Sequence, residues 1–217
     1  MIAVMILSWI IQQTLNSRFN KYSRIGTANG MTGAEIARKM LAEHGITDVE
    51  VCSINGQLTD HYDPSKKVIN LSEPVYGQRS IAAAAVAAHE TGHAIQHAEG
   101  YAPIKLRSLL VPIVSFANNT VQWVLLAGVL LIQITPALLW LGIALFAVTT
   151  LFSFITLPVE VDASRRAVEW LDHSGISDIE TTPMAKDALK WAAYTYLIAA
   201  LGSMATLFYY VGIARRR

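Results

Sequence analysis

Long uncharged stretches separate segments of mixed polarity along the chain. Residues 108–159 contain no charged side chain, a length that fits two membrane spans of about 20 residues each. We predict these spans over residues 109–134 and 137–157, joined by a short turn. A later apolar stretch, 191–214, carries aromatic residues near both ends, which is typical of a helix that crosses both membrane interfaces. The pattern predicts an integral membrane protein.

Residues 1–15 form another apolar stretch, and the first basic residues, Arg18 and Lys21, follow it. A signal peptide carries its positive charge before the apolar stretch, so we predict an uncleaved membrane anchor. This stretch is shorter than the roughly 20 residues that a spanning helix needs, which indicates a tilted or partly inserted helix. Together with the other stretches, it gives about four apolar helices.

The segment between the first two apolar regions has the patterns of a small α+β module. Thr32 and Glu35 have the spacing of a capping box, which predicts a helix that ends near residue 44. Short runs of β-forming residues follow, and Asn55-Gly56 predicts a tight hairpin between the first two. The predicted strands are 48–54, 57–61 and 67–71. We expect the last strand, or the hairpin, to present an edge on which an extended peptide pairs through main-chain groups.

The alanine-rich stretch 81–97 predicts a helix that carries the pattern His89-Glu90-x-x-His93. Residues four apart on a helix lie about 5–6 Å from each other, so both imidazoles can bind one metal ion. Glu90 lies too far round the helix to be a ligand but can accept a proton from water at that ion. The alternative is a packing helix whose histidines are only hydrogen-bonded. Chance gives the pattern roughly once in more than a hundred such chains, which favours zinc.

A catalytic zinc site needs a third protein ligand and one open position for water. His97 lies about 12 Å along the same helix from His89 and cannot share the ion unless the helix breaks. We predict Glu160 instead, because Pro158 can open a helix and Glu160 would project from its first turn. Asp162 is then placed to orient a ligand imidazole by accepting its other N–H.

Charge that develops on a substrate oxygen is stabilised by a cation or a hydrogen-bond donor beside the metal. The candidates are Arg165 and Arg166, about one turn beyond Glu160, together with His61 and His173. Each arginine has a competing interpretation as a salt bridge or a lipid-headgroup contact at the membrane edge.

Composition supports membrane residence and excludes other classes. The chain has 217 residues, of which 53% are hydrophobic and 15% charged, and its mean hydropathy is +0.38. The net charge is +1, and no basic run is interleaved with aromatic residues, so nothing indicates a nucleic-acid partner. Cys52 is the single cysteine, which excludes an intrachain disulfide.

Four motifs resemble those of a known family. They are Met31-Thr32-Gly33-Ala34-Glu35, Leu58-Thr59-Asp60-His61-Tyr62-Asp63-Pro64, Ala88-His89-Glu90-Thr91-Gly92-His93-Ala94-Ile95-Gln96 and Leu157-Pro158-Val159-Glu160-Val161-Asp162-Ala163-Ser164-Arg165-Arg166. Over nearly the whole chain, the sequence resembles the YugP-like family of bacterial membrane zinc metallopeptidases. The resemblance implies a gluzincin-type peptidase, more distantly similar to the HtpX and CAAX-prenyl proteases. Those relatives have Glu-x-x-Ala-Asp around their third ligand, whereas this chain has Ser164 at the last position.

We therefore expect a mainly α, integral membrane, zincin-like metallopeptidase that binds one Zn²⁺ per chain and hydrolyses peptide bonds. Its substrates should be proteins or peptides near the membrane, because the catalytic helix is tied to apolar spans. Membrane lipids are the other expected partners. A non-catalytic, zinc-stabilised scaffold is the alternative. A transporter is disfavoured because the two central spans contain no ionisable residue.

The changes of polarity divide the chain into five segments. They are an anchor (1–15), a soluble zincin-like module (16–108), two spans (109–157), a third-ligand helix and loop (158–190) and a C-terminal span (191–214). The module and the third-ligand segment hold most of the basic residues. The positive-inside rule therefore predicts a multi-pass protein of the bacterial inner membrane with its active site facing the cytoplasm.

Overall fold

The computed structural model describes residues 2–215, so Met1, at the start of the predicted anchor, and Arg216 and Arg217 lie outside the described residues. The protein is mainly helical, with 73% of the described residues in helices and a small three-stranded sheet. In chain order the elements are α1 (Ile2–Tyr22), α2 (Gly33–Glu43), β1 (Glu50–Ile54), β2 (His61–Asp63), β3 (Val68–Ser72), α3 (Glu73–Gly77), α4 (Ile81–Ala98), α5 (Ala102–Leu130), α6 (Pro136–His173) and α7 (Thr182–Arg215).

Helix α2 begins with the predicted capping box. The backbone N–H of Thr32 donates to the Glu35 carboxylate over 2.7 Å, and the Glu35 N–H donates to the Thr32 hydroxyl over 3.3 Å. These bonds satisfy two of the backbone donors that every helix start leaves free. The apolar face of α2, including Ile36 and Met40, is buried in a core that it shares with α4 and the sheet.

The predicted hairpin at Asn55-Gly56 is wrong. Strand β1 pairs in parallel with β3, and β2 pairs antiparallel with the other side of β3, so β3 is the central strand. After β1 the chain crosses the end of β3, where the Asp60 carboxylate accepts hydrogen bonds from the Ser72 backbone N–H and hydroxyl. This long-range contact outweighs the local turn preference of Asn55-Gly56 and prevents a return strand over 57–60.

The tight turn of the sheet instead joins β2 to β3. The Asp63 carboxylate accepts from the backbone N–H groups of Ser65 and Lys66, which closes the turn. Because β3 has a partner on both sides, the expectation that this strand offers a free edge to a peptide is also wrong. The edges of the sheet are β1 and β2.

Three helices among residues 2–215 are long and apolar enough to cross a membrane, namely α5, α6 and α7. Helix α1 is not among them, so three helices, rather than about four, meet the length and composition of a span. These helices extend beyond the limits predicted for the spans, because α5 begins seven residues before 109 and α7 nine residues before 191. Their charged ends continue as helix outside the apolar stretches.

Helix α6 runs without a break through Pro158, so the prediction that this proline opens a new helix is wrong. Proline removes one backbone hydrogen bond from a helix interior. Here α6 packs along α5, α7 and α4, and this packing holds the helix together across the proline. Glu160 therefore lies in the interior of a 38-residue helix rather than in a first turn. The helix ends at His173, with Ser174 as its C-cap.

Candidate metal centre

Helix α4 places two imidazoles on one face, one turn apart. Its start is fixed by Ser80, whose hydroxyl accepts from the Ala83 N–H over 3.2 Å. The rings of His89 and His93 meet edge to face with centroids 4.7 Å apart. Almost every other side chain of α4 is small or apolar and buried against α2, α6 or α7, so both rings are held by a rigid, closely packed helix.

Glu160 approaches both imidazoles from α6. Its Oε2 atom lies 3.2 Å from Nε2 of His89 and 3.5 Å from Nε2 of His93, and its side chain is only 2% exposed. One potential ligand atom from each of the three residues lies within 4.8 Å of the others. Tetrahedral zinc ligands at about 2.0–2.1 Å from the ion stand roughly 3.3 Å apart. The distances to Glu160 fit such an ion, so this cluster could hold zinc.

Gly92 lets α6 come this close to α4. A Cβ atom on Gly92 would lie 2.9 Å from the backbone oxygen of Ala163 and 3.2 Å from its Cα. The first contact is shorter than packed Cβ atoms show and the second is tighter than most, so any larger residue would push the two backbones apart. The glycine inside the His-Glu-x-x-His pattern thus sets the distance between the histidines and Glu160.

The hydrogen bonds of Gln96 fix which nitrogen of His93 faces the site. Its amide nitrogen donates to the Val159 carbonyl and to the Asp162 carboxylate, both over 2.9 Å. The Gln96 carbonyl oxygen must then face Nδ1 of His93, 3.0 Å away, and Nδ1 must be the donor. Nε2 of the neutral ring is left with a lone pair.

This lone pair of His93 points at a carboxylate oxygen of Glu160. Two acceptors 3.5 Å apart repel each other unless a proton or a cation lies between them. Burial lowers the pKa of His93, but the carboxylates of Glu160 and Glu90 outweigh burial and leave that pKa raised. The site therefore favours positive charge, and its two imidazoles and one carboxylate are the donor set that zinc prefers.

His89 is positioned from the side of α6. The hydroxyl of Ser164 lies 3.1 Å from Nδ1 of His89, so the residue that stands where the distant relatives have aspartate contacts a candidate ligand directly. Asp162, by contrast, reaches His93 through Gln96 rather than bonding an imidazole itself. Metal-ligating histidines commonly bond an acceptor with their second nitrogen, which fixes the ring orientation.

A cavity of about 680 Å³ opens on this cluster. Glu90, 9% exposed, contributes to its wall, and no hydrogen-bond partner for the Glu90 carboxylate is found among residues 2–215. Residues 60–65, which include β2 and the start of the following turn, also line the cavity. A free carboxylate, the candidate metal ligands and a strand edge therefore share one solvent-accessible space.

Arg107 and Tyr196 also line this cavity and were missed by the sequence reasoning. Nη1 of Arg107, on α5, lies 3.2 Å from the Oε1 atom of Glu160, which leaves the other oxygen facing the histidines. The available signal for Arg107 was its position as the last charge before the uncharged run. Tyr196 lies in the aromatic cluster at the start of the C-terminal apolar stretch and gave no separate signal.

Of the predicted contacts to the transition state, only His61 lines the cavity. Arg165 pairs with Asp162 and Glu169, and Arg166 pairs with Asp162 and Glu99, so both arginines form salt bridges outside the cavity wall. His173, also considered, is bonded to the Glu169 carbonyl at the far end of α6.

His97 borders the cavity without joining the ligand cluster. Its ring lies 5.7 Å from that of Tyr62 on β2, measured between centroids. Burial, followed by the positive charges of His93 and Arg107, holds the pKa of His97 below its usual range. A neutral His97 therefore lies beside β2 at the cavity.

Comparison with known proteins agrees with this geometry. Residues 1–215 match the profile of the family described as "Putative neutral zinc metallopeptidase". The chain belongs to this family. It is also 43% identical, over 98% of its length and 93% of the relative's, to the "Putative membrane protease YugP" of Bacillus subtilis (strain 168). No solved structure gives a significant match. The resemblance drawn from the four motifs is thus confirmed, and the family name supports a zinc-dependent hydrolase.

Proposed function

We propose that this member of the family is a membrane-embedded zinc endopeptidase of gluzincin type. The observation that carries the proposal is the convergence of His89, His93 and Glu160 on one point beside the free carboxylate of Glu90, in an open cavity. Three protein ligands with space for a fourth are typical of catalytic rather than structural zinc. A structural scaffold would require a closed site with four protein ligands.

Each residue of the cluster has a distinct role in this proposal. His89, His93 and Glu160 would hold one zinc ion, which would polarise water and the substrate carbonyl when bound. Glu90 accepts a proton from the attacking water and delivers it to the leaving amine. Arg107, which also contacts Glu160, and Tyr196 line the cavity. In this proposal they take the place of Arg165 and Arg166 as the donors for the developing negative charge.

The substrate would bind as an extended strand along β2. This strand is an edge of the sheet and lines the cavity, so its main-chain groups can pair with a peptide without selecting a sequence. The cavity lies where α5, α6 and α7 leave their apolar stretches, which favours substrates at the membrane surface. A crystal structure with an inhibitor peptide bound away from β2 would contradict this mode of binding.

The proposed orientation places the module, 16–108, and the segment 158–190 in the cytoplasm. Together these segments carry most of the basic residues, and the two spans between them would return the chain to the same side of the membrane. Labelling of the single cysteine, Cys52, in intact cells by a membrane-impermeant maleimide would contradict this orientation.

Zinc content and hydrolysis, measured on the same detergent-purified samples, test the function. Wild type should contain about one zinc per chain and cleave a quenched fluorescent peptide library. Glu90→Gln should retain zinc and lose about 10²–10⁴-fold in kcat/KM, because only the proton acceptor is removed. Glu160→Ala should lose most of its zinc.

Glu73→Gln, an exposed change on α3, is the matched control and should behave as wild type. Wild type that holds no zinc and takes up none on reconstitution would refute the metal site. Full activity of Glu90→Gln would refute the proposed mechanism while leaving the metal site standing. A zinc-loaded wild type without hydrolysis of any library member would favour the scaffold.

A further inference from the structure

Another cavity, of about 420 Å³, lies between α6 and α7 and shares no lining residue with the cavity at the metal cluster. Its floor is apolar and is formed by Val161, Val168, Leu189 and Ala193. Val161 is 50% exposed although it is a large aliphatic residue. The groove therefore presents an uncovered apolar surface to whatever surrounds the helices at this level.

The rim of the groove is basic. Arg165, Lys186 and Lys190 line it, against a single acid, Glu169. Glu169 is already paired with Arg165, over 2.9 Å. No carboxylate among residues 2–215 lies within salt-bridge distance of Lys186 or Lys190, and the Lys190 ammonium stands 5.6 Å from the centre of the Tyr194 ring. Two positive charges thus remain uncompensated above an apolar floor.

The groove lies at the membrane boundary of both helices. On α6 the uncharged run ends just before Glu160, and on α7 the apolar stretch begins just after Lys190. Trp191 and Tyr194 pack edge to face at this level, with ring centroids 5.4 Å apart, as expected of residues at the headgroup layer. A molecule in the groove would have one end in the hydrocarbon and the other among the headgroups.

We infer that this groove binds one anionic glycerophospholipid, with an acyl chain along Val161 and Ala193 and the phosphate between Lys186 and Lys190. Basic residues at a membrane surface attract anionic lipids, and basic pockets between spanning helices bind their headgroups. The charge pattern favours this occupant over two others. Free phosphate would gain nothing from the apolar floor, and a zwitterionic lipid would gain less than an anionic lipid from the basic rim. Binding of the lipid does not depend on the proposed peptidase activity.

Two chains of contacts connect this groove to the metal cluster. Ser164 lines the groove and lies 3.1 Å from Nδ1 of His89. Arg165, on the rim, donates to Asp162 over 2.6 Å, and Asp162 holds Gln96 against His93. A lipid that fixes α6 against α7 therefore also fixes the residues that orient both histidines.

Native mass spectrometry of the full chain, released from nanodiscs of mixed phosphatidylglycerol and phosphatidylcholine, tests the site. Wild type should retain about one phosphatidylglycerol, and Lys186→Gln/Lys190→Gln should retain at least about tenfold less. Lys186→Arg/Lys190→Arg keeps the charge and should restore retention. Lys21→Gln/Arg24→Gln removes the same charge near the end of α1, outside the groove, and should retain lipid as wild type does.

Three outcomes would overturn the inference. They are equal retention of phosphatidylcholine, equal retention by the Lys186→Gln/Lys190→Gln variant, and displacement of the lipid by millimolar glycerol phosphate, which would indicate a phosphate site without a role for the acyl chain. Circular dichroism and size-exclusion chromatography of each variant establish that a loss of lipid does not reflect unfolding. Because the readout is bound lipid, failure here leaves the zinc and Glu90 experiments unaffected.

Discussion

Helices α4 and α7 are both rich in apolar residues, yet their surroundings differ. Most of α4 is buried by other parts of the protein, and alanine is its most frequent residue. In the most apolar part of α7 only 11% of the residues are buried by the protein, and large side chains such as Phe208 and Tyr209 are exposed. The small side chains of α4 allow neighbouring protein backbones to pack against it closely. The exposed side chains of α7 need only be apolar enough to contact lipid.

This difference explains where a precise site can be built. Two histidines and a glutamate must converge within a few ångströms, and only closely packed backbones hold side chains to that tolerance. Helix α4 meets α6 at such a contact, through Gly92 and Ala163. A surface that faces lipid tolerates exchange of one apolar residue for another and cannot define such positions.

Glycine-to-alanine substitutions in the two regions should give the largest contrast. Gly92→Ala places a Cβ 2.9 Å from the Ala163 oxygen. Overpacking of this kind costs about 1–3 kcal/mol in stability, and the displacement of α6 should carry Glu160 away from the histidines. We expect less zinc per chain by elemental analysis and a lower midpoint of thermal unfolding. Gly212→Ala on α7, where an added Cβ would meet nothing within 4 Å beyond its own stretch of helix, should change neither.

Substitution of a third glycine, Gly128, tests whether helix packing can be weakened without loss of metal binding. A Cβ on Gly128 would lie 2.6 Å from Cα of Leu139, where α5 and α6 cross within the spans. Gly128→Ala should therefore lower thermal stability about as much as Gly92→Ala while keeping its zinc, because the crossing is remote from the cluster along α6. Loss of zinc in Gly128→Ala would show that the spans and the metal centre are not separable.

Gln96→Leu tests whether buried hydrogen bonds, rather than shape alone, set metal affinity. Leucine nearly preserves the volume but removes the acceptor for His93 and the donor for Asp162. Loss of a residue that orients a ligand histidine typically reduces metal affinity 10–100-fold. Competition with a zinc chelator should show this reduction, and Gln57→Leu, in an exposed loop, should show none. Unchanged affinity would mean that the packing of α4 alone orients His93.

Much of this arrangement could be predicted from the sequence, because its signals are local. The capping box of Thr32 and Glu35 gave α2, alanine content and histidine spacing gave α4, and the absence of charge gave the spans. The failures occurred where distant contacts outweigh local preference. Pro158 does not break α6 because three helices pack along it, and Asn55-Gly56 makes no hairpin because Asp60 is held by Ser72.

Candidate site residues show the same division. His89, His93 and Glu160 were recognisable from spacing and chemistry. Arg107 lies 53 residues from Glu160 in the chain, and only the antiparallel packing of α5 on α6 brings their side chains together. Arg165 and Arg166 follow Glu160 closely, but the helical period turns them toward acids outside the cavity. Proximity in sequence therefore pointed to arginines that do not line the cavity.

The smallest expected effect concerns the edge of the module, at the start of α2. Hydrogen bonds from the Thr32 backbone and hydroxyl hold the pKa of Glu35 below its ordinary value of 4.5. A carboxyl whose folded pKa is lowered stabilises the fold fully above its unfolded pKa and loses that contribution as the pH falls through the folded pKa. Glu35→Gln should thus have a slightly lower melting temperature than wild type at neutral pH.

That difference in melting temperature should stay constant from about pH 7 to pH 5 and narrow below about pH 4.5, as Glu35 becomes protonated. Differential scanning fluorimetry of both proteins across this range measures it, with Glu73→Gln as an exposed control that lacks the capping contact. Because Glu35 is on the solvent side of α2, the effect should leave zinc content unchanged. A fall in zinc with Glu35→Gln would mean that the helix start, and not only the contact of α4 with α6, helps to position the histidines.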